Sequence, residues 1–393
     1  MKKFKKAVSL ALASAMVVSL AACGSNGGSE GSADGETWKI GTMGPITGGG
    51  AIYGLAVKNG AQIAVDEINA AGGINGYQVE YKYEDDELDN EKSVNAFNTL
   101  CDWGMQIVMG AVTSGCSTAV ASETANANMF MITPSGSSTD IIADKTNVFQ
   151  VCFTDPNQGI ASAQYIGENK LATKVAAIYD SSDVYSSGIY EKFKEEVKNY
   201  DIEIVAEGAF TTDSKTDFSV QLQQAKDKGA ELVFLPIYYQ EASLILAQAD
   251  QMGYDPTFFG CDGMDGILGV ENFDTELAEG LMLLTPFAAD AQDEATQAFV
   301  TEYKDRCDGE VPNQFAADAY DAIYAIKAAI EEAELTPDAD FSEICDAMKE
   351  AMTKINVVGL TSDADGMTWA ETGEVSKAPK AVVIENGAYV SAE

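Results

Sequence analysis

The sequence WKIGTM at residues 38–43 begins the stretch that decides the fold. Its mostly apolar residues predict a buried strand, and a turn rich in Gly and Pro ends that strand. Apolar and small residues then recur at helical spacing through residues 53–70, until the sequence GGING at residues 72–76 stops the helix. In residues 77–83, aromatic and aliphatic residues alternate with polar ones, which predicts a second strand. Strand, helix and strand in this order are typical of an α/β fold.

The same alternation of strands and helices continues along most of the chain. Strands are predicted at residues 107–109, 130–133, 175–179, 203–207, 232–235 and 257–260, and helices at residues 91–103, 118–128, 188–200, 218–228, 242–252, 316–332 and 341–353. The pattern predicts two α/β lobes, each with a mostly parallel sheet flanked by helices. Ligands bind beyond the carboxyl ends of the strands in such sheets, so we expect a site among the strand-end loops.

The N-terminal segment predicts export and membrane anchoring. Four lysines among the first six residues precede an apolar segment, residues 7–20, that is too short to be a stable membrane span. The sequence LAAC at residues 20–23 resembles the lipobox of bacterial lipoproteins, in which the cysteine is lipidated and the chain is cut before it. We therefore interpret residues 1–22 as a lipoprotein signal peptide, Cys23 as the lipidated residue and residues 23–37 as a flexible Gly- and Ser-rich tether. An ordinary secretory signal with a chance cysteine is the alternative.

The composition is that of a large globular protein with a strongly acidic surface. Of 393 residues, 371 remain after removal of residues 1–22, which is long enough for two domains. Hydrophobic residues make up 46% of the chain, which argues against disorder. Without the four leader lysines, 20 Lys and Arg residues stand against 62 Asp and Glu residues, a formal charge of −42. Such a surface repels phosphates, which argues against a nucleic-acid partner and favours solubility outside the cell as its explanation.

Two residue types are scarce, and their scarcity narrows the chemistry. The chain has no histidine, which excludes Ser-His-Asp and Cys-His catalysis and histidine metal sites. Arg306 is the only arginine, so hydroxyls, backbone N–H groups and helix N-termini are the expected partners of an anionic ligand group. Six cysteines follow Cys23 without forming a CxxC pair, so we expect neither zinc nor another cofactor. Those cysteines are Cys101, Cys116, Cys152, Cys261, Cys307 and Cys345. They permit 15 disulfide pairings, or buried free thiols, and the sequence does not decide between these.

Two hydroxyl-rich loops follow predicted strands of the first lobe. The sequence VTSGCST at residues 112–118 leads into a helix, and Ser114 is placed to bind an anion beside the positive helix N-terminus. Plain capping of that helix is the alternative. The sequence TPSGSST at residues 133–139 brings Ser135 and Ser137 to the end of another strand. Because both loops lie at one edge of the sheet, they favour a shared carboxylate ligand.

A carboxylate follows a predicted strand of the second lobe. There, in the sequence GCDG, Asp262 precedes Gly263 and is a natural partner for an ammonium group. An Asp before Gly is also common in simple turns, which is the alternative. Tyr185, Tyr238 and Phe315 are candidates for the walls of a cleft, with core packing as the alternative for each.

A series of short motifs runs through the chain in order. The most specific is INAAGGING at residues 68–76, and others lie at residues 40–45, 53–54, 85–86, 110–117, 132–135, 217–219, 260–263 and 278–280. In this order they resemble the periplasmic leucine/isoleucine/valine-binding protein family, the extracytoplasmic receptors of branched-chain amino acid ABC importers. The resemblance covers residues 38–370. Residues 87–89, ELD, lack the cysteine of a disulfide that is found in the family.

The resemblance implies the type I periplasmic-binding-protein fold, with two lobes joined by three hinge crossovers. We place the crossovers near residues 154–155, 285–286 and 359–361. The first lobe is then predicted to comprise residues 38–155 and 285–360, and the second lobe residues 156–284 and 361–393.

The resemblance also implies how the polar residues would hold an amino acid. Ser114, Ser135 and Ser137 would bind its α-carboxylate and ammonium from the first lobe. Ser137 stands where the family commonly has Thr, which preserves the hydroxyl. Asp262, with Gly263 beside it, stands where branched-chain binders have Glu, and again offers an acid to the ammonium.

The aromatic residues would complete the site in this family. Tyr185 and Tyr238 would close on the ligand from the second lobe. Tyr53 and Phe315 would line the pocket for the ligand side chain. Contacts made to both lobes at once would then drive their closure.

We therefore predict a monomeric, lipid-anchored solute-binding protein on the extracytoplasmic face of the cell membrane. It would capture an amino acid, with the branched-chain class preferred, and deliver it to an ABC permease. Amides, short-chain carboxylates and aromatic compounds are alternative ligands, and a sensory binding protein of the same fold is an alternative role. We do not predict an enzyme, since catalysis without histidine would need a carboxylate pair or a Ser/Lys site, and neither is evident.

Overall fold

The computed structural model describes residues 36–392. The predicted signal peptide at residues 1–22, the lipidation residue Cys23 and all but the end of the predicted tether lie outside the described residues. In this part of the chain, no helix is both long and apolar enough to cross a membrane.

The first lobe is built on a five-stranded sheet. Its elements are β1 (Trp38–Gly44), α1 (Ala51–Ala70), β2 (Val79–Asp85), α2 (Asn90–Trp103), β3 (Ile107–Met109), α3 (Ser114–Ala127), β4 (Met131–Thr133) and β5 (Val148–Gln150). All five strands are parallel, in the order β2-β1-β3-β4-β5. The central strands β3 and β4 are short, apolar and buried throughout, as expected for a parallel sheet that is covered on both faces.

The second lobe is built on a seven-stranded sheet. The chain continues through α4 (Asp155–Glu168), β6 (Lys174–Asp180), α5 (Val184–Glu196), β7 (Glu203–Phe210), α6 (Ser219–Asp227), β8 (Leu232–Leu235), α7 (Tyr239–Gln251), β9 (Thr257–Gly260), β10 (Met282–Thr285), α8 (Glu294–Arg306), α9 (Gln314–Glu332), α10 (Phe341–Met352), β11 (Lys380–Glu385) and β12 (Ala388–Ser391). The strand order is β12-β11-β10-β9-β8-β6-β7. The hairpin β11–β12 pairs antiparallel at one edge, and the other strands are parallel.

Helix α9 returns the chain to the first lobe, where it packs against α1. The close approach of these two helices depends on Gly60, because a Cβ atom there would lie 2.0 Å from the backbone oxygen of Ala316. Helix α9 is also rich in alanine on its buried side, which keeps the helix axes close. This packing holds the first turn of α1 next to the start of α9.

The path of the chain crosses between the lobes three times. It passes from β5 to α4, from β10 to α8, and from α10 to β11. The predicted α/β class, the two mostly parallel sheets and their flanking helices are therefore confirmed. The residue boundaries given above for the two lobes stay a prediction.

Three helices near the strand ends begin earlier than the sequence predicted. Helix α3 begins at Ser114 instead of residue 118, α5 at Val184 instead of 188, and α7 at Tyr239 instead of 242. Ser114 and Tyr185 thus lie in helical first turns, where the sequence analysis had expected loops. Their first turns are polar, so the apolar periodicity that marks a helix starts one turn late. The sequence analysis did not predict β5, α4, β10, α8, β11 or β12.

All six cysteines in the described part of the chain are free. Four of them are buried, and burial raises the pKa of the Cys116 thiol to about 12 and that of Cys345 to about 12. A buried thiol that stays protonated behaves as a small apolar group. Of the two options left open by the sequence, the structure contains the free thiols.

Candidate functional site

The nine residues singled out from the sequence are brought together where the carboxyl ends of the strands of both sheets meet. Eight of the nine are buried, and Tyr238 is partly buried. The first lobe contributes Tyr53, Ser114, Ser135 and Ser137, the second contributes Tyr185, Tyr238, Asp262 and Gly263, and Phe315 lies at the start of α9.

The first lobe presents hydrogen-bond donors. The Ser114 hydroxyl oxygen accepts bonds from the backbone N–H groups of Ser137 (3.1 Å) and Ser138 (3.2 Å), which leaves its own proton free to donate. Ser114 is also the first residue of α3, and the side chain of Thr113 does not cap this helix. The N–H groups of the first turn and the partial positive charge of the helix end are therefore available to an anion.

The other two serines of this lobe differ from each other. The Ser135 hydroxyl donates to the backbone oxygen of Val112 at 2.7 Å, so its proton is already used within the lobe. The Ser137 hydroxyl is buried and has no hydrogen-bond partner. Of the pair, only Ser137 keeps both its donor and its acceptor capacity for a ligand.

The second lobe presents a rigidly held carboxylate. Tyr185 donates its phenolic proton to the Asp262 carboxylate at 2.8 Å and accepts the N–H of Gly263 at 2.8 Å. The backbone of Asp262 is fixed as well, since its N–H donates to Gln158 (3.1 Å) and its carbonyl accepts from Gln314 (3.1 Å). Burial is the largest influence on this carboxyl group and raises the pKa of Asp262 to about 7, against the lowering effect of Tyr185 and Gln158.

Aromatic rings form a wall that joins the lobes. The ring centroid of Tyr53 lies 4.7 Å from that of Phe315 and 5.6 Å from that of Tyr238, and Tyr238 stacks on Tyr185 at 5.0 Å. The Tyr53 hydroxyl donates to the backbone oxygen of Gly263 and accepts the N–H of Tyr239 at 3.2 Å. Tyr53 is on α1 and its polar partners are on the second lobe, so this side chain holds the two lobes in contact.

Two further residues, Asp155 and Gln158 on α4, belong to this site and were not predicted from the sequence. Both carboxylate oxygens of Asp155 are buried without a hydrogen-bond partner, as is the side-chain amide nitrogen of Gln158. The hydroxyl of Ser137 faces Asp155 and lowers its pKa, but burial dominates and holds the pKa of Asp155 well above its ordinary value. The sequence marked Asp155 only as a crossover residue, because an Asp before a Pro is typical of any helix start.

No basic side chain in the described part of the chain neutralises this carboxylate. Arg306 lies on the surface of α8, where its guanidinium pairs with Glu302 at 2.6 Å and with Asp66. Lys377 is buried, but its ammonium nitrogen is bound to Asp318 at 2.7 Å. One side of the site therefore presents hydrogen-bond donors from Ser114 and the start of α3. The other side presents the carboxylates of Asp155 and Asp262. Neither side contains a basic side chain in the described part of the chain.

An acidic cavity of about 420 Å³ opens beside Tyr238 between the lobes. Its charged lining consists of Asp89, Glu91, Asp180, Asp183, Glu241 and Lys215. The single lysine pairs with Glu241 at 3.0 Å. The negative potential of this cavity favours a positively charged group over a simple anion.

Comparisons with known proteins agree with this architecture. A family model described as "Periplasmic binding protein" matches residues 37–385. The chain is 30% identical over 342 residues to "Leu/Ile/Val-binding protein homolog 3" of Brucella melitensis, which covers 86% of this chain and 88% of that protein.

Solved structures give the same fold. The branched-chain amino acid transporter substrate binding protein LivJ from Streptococcus pneumoniae, in complex with isoleucine, superimposes with a TM-score of 0.81 at 29% identity, over 91% of this chain and 98% of that one. A solute binding protein from R. palustris in complex with benzoate has a TM-score of 0.79 at 17% identity, over 91% and 95% of the two chains. The second likeness concerns the fold alone.

Proposed function

The chain belongs to the Leu/Ile/Val-binding proteins of the periplasmic binding protein family, and we propose an amino acid as its ligand. It is a substrate-binding protein of the branched-chain amino acid ABC transporter type and not an enzyme. In our proposal the lobes close on one ligand molecule, which is then delivered to the membrane permease of the importer.

The observation that carries the ligand assignment is the complementary pair of half-sites. Ser114 and the N-terminus of α3 supply hydrogen-bond donors from the first lobe, which suits a carboxylate. Asp262 supplies a buried carboxylate from the second lobe, which suits an ammonium group. An α-amino acid carries both groups on one carbon atom and therefore bridges the lobes.

The branched-chain class is favoured by the walls of the site. Tyr53, Tyr238 and Phe315 present ring faces and edges, which suit an apolar side chain. The relatives named for leucine, isoleucine and valine point in the same direction. The same rings also suit an aromatic carboxylate, which is the second ligand class that we consider.

One titration experiment separates these ligand classes. The purified protein, unfolded and refolded to remove any bound ligand, is titrated by calorimetry with the twenty amino acids, benzoate and short-chain carboxylates. We expect one-to-one binding of leucine, isoleucine or valine and no binding of benzoate. Binding of benzoate without any amino acid would contradict the proposal, because benzoate has no ammonium group for Asp262.

We also propose that Cys23 carries the lipid anchor and that the protein is held at the outer face of the cell membrane. The support is the lipobox-like sequence LAAC, which lies outside the described residues. In the expressing cell, the unaltered protein should fractionate with membranes and gain the mass of acyl chains at its N-terminus. A Cys23→Ser variant should be released in soluble form, and membrane attachment of that variant would contradict the proposed anchor.

A further inference from the structure

Three helices that border the site have a first-turn backbone N–H group bonded to the opposite lobe. Ile52 of α1 donates its N–H to the Tyr239 hydroxyl (3.2 Å), and Tyr239 of α7 donates its N–H to the Tyr53 hydroxyl (3.2 Å). Gln314 of α9 donates its N–H to the Asp265 carboxylate at 2.9 Å. The N–H groups of a first helical turn have no acceptor within their own helix. Here, contact between the lobes supplies acceptors for three of them.

Gln314 bonds to the second lobe with two separate groups. Its backbone N–H reaches the carboxylate of Asp265, and its side-chain amide donates to the carbonyl of Asp262 at 3.1 Å. Asp265 donates its own N–H to the same carbonyl at 2.9 Å, so both acceptors belong to one tight turn after β9. All three residues are buried, so these bonds form away from bulk water.

The start of α9 does not depend on the second lobe for its own stability. Asn313 caps the helix, because its side chain accepts the N–H of Ala316 at 3.3 Å. Ala316 in turn packs against Gly60 of α1, which fixes the start of α9 to the first lobe. Gln314 therefore lies on a rigid part of the first lobe, and its bonds to the second lobe are additional to those that the helix needs.

The turn that Gln314 contacts carries the proposed partner of the ligand ammonium. Within the second lobe, Tyr185 bonds to the carboxylate of Asp262, and Gln158 accepts its backbone N–H. Gln314 adds a bond from the first lobe, at the carbonyl of the same residue. If the lobes separate, Asp262 keeps the first two contacts and loses the third. The position of Asp262 is thus supported from both lobes only when they are in contact.

We propose that Gln314 is a positioning residue that couples closure of the lobes to the placement of Asp262 against the ligand. This inference rests on the proposed amino acid ligand and on the closure of the lobes around it. In this role Gln314 acts through Asp262 and not through a ligand contact of its own. Its bonds to the second lobe form when the lobes close and break before the ligand leaves. They therefore slow release of the ligand and do not affect its capture.

The first test measures how fast the ligand is released. Gln314→Met keeps the length and the unbranched shape of the side chain but removes the amide donor. Release of radiolabelled L-leucine into an excess of unlabelled L-leucine gives the dissociation rate constant. Calorimetry gives the dissociation constant, and the ratio of the two gives the association rate constant. We expect dissociation to become about fivefold faster, through loss of one hydrogen bond of the closed form, while association changes by less than about twofold.

Gln248→Met is the matched control. The side-chain amide of Gln248 on α7 accepts the N–H of Phe218 (2.7 Å) and donates to the carbonyl of Thr216 (3.0 Å), and both partners lie in the second lobe. This variant should unfold at a lower urea concentration and release L-leucine at the unaltered rate. Ligand-free Gln314→Met should instead unfold at the same urea concentration as the unaltered protein. An unaltered release rate in Gln314→Met, or a lower unfolding midpoint of its ligand-free form, would overturn the inference.

A second test uses the unaltered protein and needs no variant to fold. Hydrogen exchange of the Gln314 backbone N–H, followed by NMR, should slow when L-leucine is added, because its acceptor Asp265 is within reach only in the closed form. Exchange of the Ala316 N–H, which is bonded to Asn313 within α9, should not change. Equal exchange of the Gln314 N–H with and without L-leucine would overturn the inference and leave the proposed ligand standing. If none of the twenty amino acids binds, the proposed ligand and this inference are both contradicted.

Discussion

Two groups of buried carboxylates in this molecule differ in the hydrogen-bond and ion-pair partners that the protein supplies to them. At the crossover between α10 and β11, Asp321 accepts the N–H groups of Leu360 (2.8 Å) and Thr361 (2.9 Å) and the hydroxyl of Thr361 (2.6 Å). In the same cluster, Lys377 neutralises Asp318 at 2.7 Å. At the candidate ligand site, by contrast, neither carboxylate oxygen of Asp155 has a hydrogen-bond partner in the described part of the chain. The protein itself supplies the partners of the first group, whereas it supplies no cation to Asp155 or Asp262.

The difference separates a structural cluster, around Asp318 and Asp321, from the cluster around Asp155 and Asp262 that we propose binds the ligand, called the binding cluster below. Burial raises the pKa of Asp318 and of Asp321, but in both the charge of Lys377 opposes the rise, and hydrogen bonds add to its effect. At the ligand site, burial raises the pKa of Asp155 and Asp262 without a cation to oppose it. A fold that tolerates unpaired buried acids at one place while satisfying them at another indicates that the unpaired ones have a function.

The largest expected effect comes from breaking the structural cluster. Lys377→Met removes the only cation of the cluster and should lower the free energy of unfolding by roughly 3–5 kcal/mol, because Asp318 is left buried and uncompensated. Urea unfolding of the ligand-free protein measures the change. Adding Asp318→Asn should restore part of the loss, because no unpaired charge is then left buried. An unchanged unfolding midpoint would contradict the structural role of the cluster.

A substitution in the binding cluster should have the opposite effects, with weaker ligand binding and no loss of stability. Asp262→Asn should weaken L-leucine binding by roughly 2–5 kcal/mol, because the ammonium then loses a buried charged partner. The ligand-free variant should be at least as stable as the unaltered protein at neutral pH, since no charge has to be buried. Calorimetric titration and urea unfolding of the same samples measure both effects. Unchanged affinity would remove Asp262 from the site, and Asp86→Asn serves as the control for a buried acid elsewhere.

The raised pKa of Asp262 should also make the stability of the ligand-free protein depend on pH. Burial raises the pKa of Asp262 from its ordinary value of 3.8 to about 7, so the stability that this group contributes is complete below pH 3.8 and is lost as the pH rises through 7. Between pH 4 and pH 8, the ligand-free protein should lose on the order of 3 kcal/mol relative to Asp262→Asn. Unfolding curves of both proteins across this range give the difference, and a constant difference would mean that Asp262 is ionised throughout.

The sequence could predict the strands at the centre of the sheets because their signal is local. Strands β3, β8 and β9 occupy the predicted residues, since apolar runs of three or four residues bounded by turn residues are typical of buried parallel strands. Helices α3, α5 and α7 were predicted to start late because their first turns, which lie at the candidate site, lack the apolar periodicity of a packed helix face.

Asp155 could not be recognised from the sequence because its importance arises from distant contacts. Locally, an Asp followed by a Pro at a helix start is an ordinary capping arrangement. The groups that act on its carboxyl group include Ser137 from the first lobe and Asp262, more than a hundred residues away along the chain. Loop position and the family resemblance together pointed to the nine predicted residues, but the missing partners of Asp155 became visible only with all segments in place.

The smallest effect concerns the donor side of the site, where two serines can be compared. The Ser114 hydroxyl accepts two backbone N–H bonds and keeps its proton for the ligand, while the Ser135 hydroxyl donates to Val112. Ser114→Ala should therefore weaken L-leucine binding by roughly 1–3 kcal/mol, through loss of a bond to the carboxylate and of support for the loop at Ser137. Ser135→Ala should instead lower stability and change the affinity less. Calorimetric titration of both variants decides, and equal losses of affinity would mean that the two hydroxyls share the ligand carboxylate.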